Sequence, residues 1–408
     1  MLFTFVILFL TLGCDWAYGQ GEEGNEKEEV TVTLDFSKKG AFGLKNNTSQ
    51  SVLTNITFKV QDLSVSLYGM TCHFEGTNTY LRLDGNNNNN PGQISISVPN
   101  PAVIKSATLG TNRYKITNLH AKYTYNGKEK DEEISVKANK TATVSSINSN
   151  NVSFIEKGSD QSFITSITLT YTRPKLDATL DEKGENVEST ISGIAGANKT
   201  LALNRTFNPS QLYTMCLPFD LSKDMITEIF GNETKVYLYD GYQNGELSFS
   251  TVKEGVLNAG MPFLMRPEYY VEQPTFADVT VESTTAQTVC GGEWDLCGTF
   301  GSLELVADGT QLFLIADGTL AKPKADSRPM RGFRCYLKKH TGTVNGSAQL
   351  PSVTIDGETN AIKIAEYAAP TSGTTAYSLS GMKLNAGCKT ANGGIMIING
   401  KKFITTNR

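Results

Sequence analysis

The stretch Val30-Thr31-Val32-Thr33-Leu34-Asp35-Phe36 (residues 30–36) decides the fold. Apolar side chains at 30, 32, 34 and 36 alternate with polar ones at 31, 33 and 35. That period of two puts one face of a strand on a core and the other in water. The same beat recurs at Ile56, Phe58 and Val60, at Leu81 and Leu83, at Ile94, Ile96 and Val98, and again at Ile167, Leu169 and Tyr171. Asp84-Gly85, Pro91-Gly92, Asn126-Gly127 and Gly158-Ser159-Asp160 punctuate the runs as turns. No segment of this half carries a helical period. Residues 30–172 therefore read as one antiparallel β-sandwich of about eight strands.

Arg173-Pro174-Lys175 marks a boundary, because proline cannot donate to a ladder and ends the strand before it. Beyond it, 176–370 reads as a second β-rich domain with one short helix. Ser222 caps that helix, Asp224 sits in its first turn, and Met225, Ile226, Ile229 and Phe230 share a face. Gly231 stops it. Two Ala-Asp-Gly turns, at 307–309 and 316–318, bracket a strand at Gln311–Ile315. Thr371–Thr375 after Pro370 reads as a linker into a tail, 376–408, where Asn399-Gly400 between apolar runs is a hairpin signal. The expected architecture is all-β: tandem antiparallel β-sandwich, jelly-roll-like domains with one short helix and a small C-terminal β-module.

The N-terminus points to export. Leu2–Leu12 is apolar apart from Thr4 and Thr11, too short to span a bilayer but the right length for a signal-peptide core. Ala17-Tyr18-Gly19 before Gln20 fits the small-residue cleavage rule, so 1–19 reads as a signal peptide cleaved between Gly19 and Gln20. The positively charged opening of such signals is missing. A second reading ends a lipoprotein signal at Gly13 and acylates Cys14, although Thr11 stands where such signals prefer Leu. Residues 20–29 are acidic and nearly free of apolar side chains, a disordered lead. Both processing readings place the protein outside the cell, at the cell surface or outer membrane or free in the medium.

Composition narrows the function. Lys and Arg number 37 against 41 Asp and Glu, a net charge of −4, which argues against a nucleic-acid partner. His73, His120 and His340 are the only histidines, and none has His or Cys neighbours at metal-ligand spacing. There is no G-x-S-x-G elbow. Ser380-Gly381-Met382-Lys383 matches S-x-x-K without its companion motifs, and a turn explains it. Gly394 to Gly400-Lys401 fails as a phosphate loop on spacing and on Lys402. Asp84, Asp160, Asp308, Asp317 and Asp356 sit in turns beside Gly or Ser, where carboxylates satisfy backbone donors. Asp84-Gly85 and the asparagines after it could take calcium through oxygen, but with one carboxylate the segment reads as a loop. No metal or cofactor is called for.

Thr214-Met215-Cys216-Leu217-Pro218-Phe219, with Phe230-Gly231 leading into Thr234-Lys235-Val236-Tyr237, resembles a module of secreted surface proteins of the Bacteroidetes. Ala259–Leu264 and Gly332-Phe333-Arg334-Cys335-Tyr336 fit the same module. The tail, Ser380-Gly381 and Gly394-Ile395 leading to Ile398-Asn399-Gly400-Lys401-Lys402, resembles their short C-terminal β-module, and 30–172 is similar to their N-terminal sandwiches through Phe154 and Ile164–Tyr171. The resemblance implies a surface location and a sorting or anchoring role for the tail. It carries over no catalytic residue.

Two function classes remain. The first is a non-catalytic binding or structural protein, adhesin-like, whose ligand is a glycan or a surface protein. Tyr123 and Tyr125 share one strand face, as a stacking platform for a sugar ring requires, and Tyr68 is a third candidate; cross-strand packing is the plain alternative for all three. The second class is a secreted glycoside hydrolase or its accessory module, which would need two carboxylates brought together in a cleft. We expect no enzyme. Cys216 and Cys335 lie in apolar strand patterns and read as buried thiols, while Cys290 and Cys297 flank Gly291-Gly292 and form a candidate disulfide if the chain folds back there.

Overall fold

The computed structural model describes residues 26–45, 52–72, 80–85, 89–185, 187–252, 255–282, 285–324, 329–340 and 351–360, with strands at 365–366, 376–378, 383–384, 395–398 and 401–404. Cys14, Gly19 and Gln20 lie outside the described residues.

Twelve strands precede the expected boundary. They are β1 (Lys27–Asp35), β2 (Val52–Val60), β3 (Leu63–Cys72), β4 (Leu81–Asp84), β5 (Gln93–Ser97) and β6 (Val103–Gly110), then β7 (Ile116–Tyr125), β8 (Lys128–Val136), β9 (Thr141–Val144), β10 (Asn151–Glu156), β11 (Gln161–Ile164) and β12 (Ser166–Pro174). A four-stranded antiparallel sheet runs β1-β12-β6-β9. It faces a larger sheet whose path includes β2-β3-β5-β10-β7-β8, with β4 and β11 paired beside it. Leu34, Leu169 and Leu109 from the first sheet share one core with Phe58, Leu67, Ile94 and Phe154 from the second. This is the sandwich that the alternation at 30–36 demands. Its twelve strands exceed the eight or so that the alternation marks. In β6 the inward residues Ile104, Ala107 and Leu109 change phase where the ladder to β12 bulges between Thr170 and Tyr171.

The chain continues through β13 (Ala178–Asp181), α1 (Val187–Gly193), β14 (Gly196–Asn204), β15 (Thr206–Phe207), β16 (Tyr213–Cys216), α2 (Lys223–Phe230), β17 (Lys235–Gln243), β18 (Glu246–Thr251), β19 (Pro262–Arg266), β20 (Tyr270–Glu272) and β21 (Thr275–Val281). Helix α2 forms as its signals direct. Ser222 Oγ accepts from Met225 N at 3.2 Å, Ile226 and Phe230 are buried, and Gly231 closes it at φ 107°. A Cβ on Gly231 would lie 2.4 Å from Glu268 Oε2, so glycine is required there for space as well as for φ. Helix α1, only seven residues with Val187 and Ile191 buried, is an addition to the single helix expected. Further strands at Trp294–Thr299 and Arg334–Lys339 pair antiparallel and pack with Tyr239, Phe249 and Leu264 in a separate core. Asp308 and Asp317 each accept a backbone N–H two residues on, at Thr310 and Thr319, which makes both Ala-Asp-Gly turns.

One feature crosses the boundary at Pro174. Strand β20 runs parallel to β2, with Phe58 opposite Tyr270 and Val60 opposite Glu272, and β15 pairs beyond it. The larger sheet therefore has ten strands and ends in the second half of the chain. In the tail, Ile395–Ile398 and Lys401–Ile404 pair with Ile398 opposite Lys401, the register of a two-residue hairpin. Asn399 and Gly400 lie outside the described residues.

Candidate binding face and buried acid

Strand alternation gives the ten-stranded sheet a solvent face made of small polar side chains. Register places Thr57, Ser66, Ser95, Ser153, Lys122 and Asp131 in one row across six strands. At about 4.8 Å per strand the row spans roughly 24 Å. Hydroxyls bond along it: Thr57 to Ser66 at 2.9 Å and Ser95 to Ser153 at 2.8 Å, with Gln93 Nε2 donating to Ser95 at 2.7 Å. The adjacent row holds Asn55, Tyr68 and Gln93, and Tyr68 is 40% exposed.

At the far end of these strands a cleft of about 250 Å³ opens between the sheet and α2, with Lys59, Gln61, Ser64 and Ser97 on one wall and Glu228 and Ile229 on the other. Lys59 Nζ donates to the Glu228 carbonyl in the last turn of α2, where a cation meets the negative end of the helix dipole. Burial holds the Lys59 ammonium below its usual pKa, and the Glu228 charge works against that. Beside α2's last turn, Tyr269 N donates to Phe230 O at 3.0 Å.

The three sequence candidates separate. Tyr68 lies on this outward face. Tyr123 and Tyr125 do share a face, but it is the inward one: Tyr123 is 6% exposed within the sandwich core and Tyr125 packs against it. They offer no open platform, which corrects that expectation. The period correctly paired them and could not say which side was covered. The Tyr123 hydroxyl donates to Glu132 Oε1, and burial with that carboxylate pushes the phenol up to about 12. His120 is engaged as well. Asp131 accepts from Lys157 Nζ at 2.9 Å and pairs with His120 Nδ1 at 2.6 Å, which takes its carboxyl down to about 2.

Sequence reading missed an acid in the core. In β10 the inward positions are Val152, Phe154 and Glu156, and Glu156 is fully buried. The period-2 pattern carried that signal, with a carboxylate standing where the next apolar residue belongs. Around it the β4–β5 and β10–β11 connections are knotted together. Gly85 N donates to Asp160 O at 2.9 Å, Gly92 N to Asp84 O at 2.7 Å, and Glu156 N to Gly92 O at 3.0 Å. A Cβ on Gly85 would stand 2.5 Å from the Gly158 carbonyl, so the two connections touch backbone to backbone. Ser162 lies close enough to temper the Glu156 carboxyl, but its hydroxyl is committed to Thr117 O at 3.3 Å, and neither Glu156 oxygen has a hydrogen-bond partner. Burial pushes this carboxyl up to about 8, and the charges of Asp160 and Asp84 add to the rise.

Among the described residues no three His, Cys, Asp or Glu side chains converge as metal ligands. Cys290 and Cys297 are both free thiols, a second correction. Cys297 pairs across the sheet with Thr288, whereas Cys290 lies exposed beyond Val289, so the turn carries it out of register. Cys216 and Cys335 are buried and free, as expected, and burial pushes the Cys216 thiol up to about 12, which leaves it unreactive. No helix among the described residues is long and apolar enough to cross a membrane. No protein-family model matches the chain, and no curated protein was found to resemble it.

Proposed function

We propose that the protein is an exported, surface-displayed binding protein that captures a glycan on the outward face of its ten-stranded sheet and is not an enzyme. The observation that carries this reading is the hydroxyl row beside exposed Tyr68, bordered by the cleft at α2. Sugars are recognised by hydroxyl and amide partners together with an aromatic face for their CH groups, and this face supplies all three within neighbouring strands. Ligand sites also favour places where separate parts of a fold meet, as the sheet and α2 do here.

The hydrolase alternative asks for two carboxylates on an open cleft, one with a raised pKa. Among the described residues the acid with the raised pKa is Glu156, and it is sealed in the core. A substrate cannot reach it without unfolding the knot, which favours the binder. The testing experiment is a glycan array probed with the full exported chain, repeated with Tyr68→Ala. Binding that Tyr68→Ala abolishes supports the reading, while release of reducing sugar from any arrayed glycan refutes it.

We further propose export through cleavage between Gly19 and Gln20, with sorting or anchoring by 376–408, both in line with the resemblance to Bacteroidetes surface proteins. Intact mass of the exported chain tests the first: it should begin at Gln20, and a product beginning at acylated Cys14 makes it a lipoprotein.

A further inference from the structure

Three guanidinium groups converge on one carboxylate in the second half of the chain. Glu182 follows β13 and is 4% exposed. Arg331 Nη1 donates to its Oε1 at 2.6 Å and Arg334 Nη2 to its Oε2 at 2.6 Å, while Arg205 Nε stands 3.6 Å from Oε2. Arg205 occupies an inward position, in step with Leu201, Leu203 and Phe207, and is itself 4% exposed. Its Nη1 donates to the carbonyls of Thr214 at 3.1 Å and Phe333 at 3.3 Å. The rings of Phe207 and Tyr213 lie about its plane at 5.1 and 5.2 Å.

This arrangement is lopsided in charge and in donors. Three cations face one anion, and Arg205 Nε, Arg205 Nη2 and Arg334 Nε are buried N–H groups with no hydrogen-bond acceptor. Burial and the charge of Arg334 both press against the charged form of Arg205, and Glu182 offsets only part of that. A cluster kept only for stability gains little from such an excess, because desolvating a charge and leaving donors unmade are both costly. The hub is also not closed. The Arg331 side chain is 51% exposed and that of Arg334 26%, so two of the three forks reach solvent.

We propose that the Glu182 hub is a recognition site for a small oxyanion, of the carboxylate, sulfate or phosphate class, entering past Arg331. The planar fork of a guanidinium matches two oxygens of such a group, and Glu182 orients Arg331 and Arg334 so that their remaining donors are held ready. A bound oxyanion brings the local charge closer to balance. The site stands apart from the hydroxyl row and does not depend on the glycan reading.

The test measures thermal unfolding of the full chain against sodium acetate, galacturonate, sulfate or phosphate, each compared with sodium chloride at matched ionic strength. A saturating rise in midpoint with an oxyanion, beyond that in chloride, is the expected result. Arg331→Gln should weaken the apparent affinity about tenfold or more by removing one charge-assisted fork; because it also takes a donor from buried Glu182, the oxyanion response of the variant is read against its own midpoint in chloride. Glu182→Gln keeps an amide oxygen to hold one arginine in place and removes the one negative charge of the hub, so oxyanion binding should tighten; if that variant does not fold, Arg331→Gln decides alone. Galacturonate binding tighter than acetate identifies an acidic sugar, and sulfate or phosphate binding tighter than both identifies an inorganic or ester group. A rise that never saturates and is equal in wild type and Arg331→Gln is salt exclusion and overturns the proposal. So does a midpoint that follows ionic strength alone.

Discussion

Replacing Glu156 by Gln should reverse sign with pH. Glu156 is fully buried, neither carboxyl oxygen has a hydrogen-bond partner, and its pKa rises from 4.5 to about 8 on folding. Below pH 4.5 the acid is protonated in both folded and unfolded chains and contributes no pH dependence. Above it the unfolded chain ionises while the folded one holds its proton. Stability therefore falls with rising pH by up to about 1.4 kcal/mol per unit, until the folded acid ionises near pH 8. The whole interval amounts to roughly 5 kcal/mol as an upper value. Gln has the same shape and does not titrate, but its amide is left without partners, at about 1–3 kcal/mol. The variant should thus be equal to or weaker than wild type at pH 5 and stronger at pH 8.5, the difference moving steadily in its favour between. Calorimetry of both proteins from pH 5 to 9 reads this directly. Parallel stability curves across that range would refute the reasoning, because they would mean that Glu156 titrates alike in the two states.

Other outcomes follow from the same geometry. Tyr68→Ala should abolish glycan capture with its melting midpoint within about a degree or two of wild type, since the ring is 40% exposed, whereas Tyr123→Phe should lose about 1 kcal/mol and keep binding. A fragment spanning 28–172 should unfold cooperatively with a β-type circular dichroism spectrum, but it bares the β2 edge that β20 covers, so sedimentation should show self-association absent from the full chain. Deleting 376–408 should leave the melting midpoint unchanged and strand the protein in the periplasm; lost stability with normal export would sink the sorting role.

What the sequence determined by itself is what depends on neighbours along the chain. Val30 to Phe36 alternate, and that beat alone specifies a strand with one covered face. Ser222 and Gly231 delimit α2 because a cap and a stop act within one turn of backbone. Asp308 and Asp317 make their turns with donors two residues away. The all-β class was legible for that reason. Which face was covered was not, since the period that paired Tyr123 with Tyr125 is the same whether the pair looks into the core or into water. Only the second sheet settles it. The hydroxyl row needs six strands in register, and the order β2-β3-β5-β10-β7-β8 is not the order of the chain. Glu156 and Arg205 each stand in an apolar beat, a signal the sequence reading missed, and Asp84 near the one and Glu182, Arg331 and Arg334 around the other come from distant segments. Residue spacing fixes local geometry within a few residues; the fields that raise one carboxyl or gather three guanidiniums fall off through space, and tertiary packing alone decides what lies within their reach.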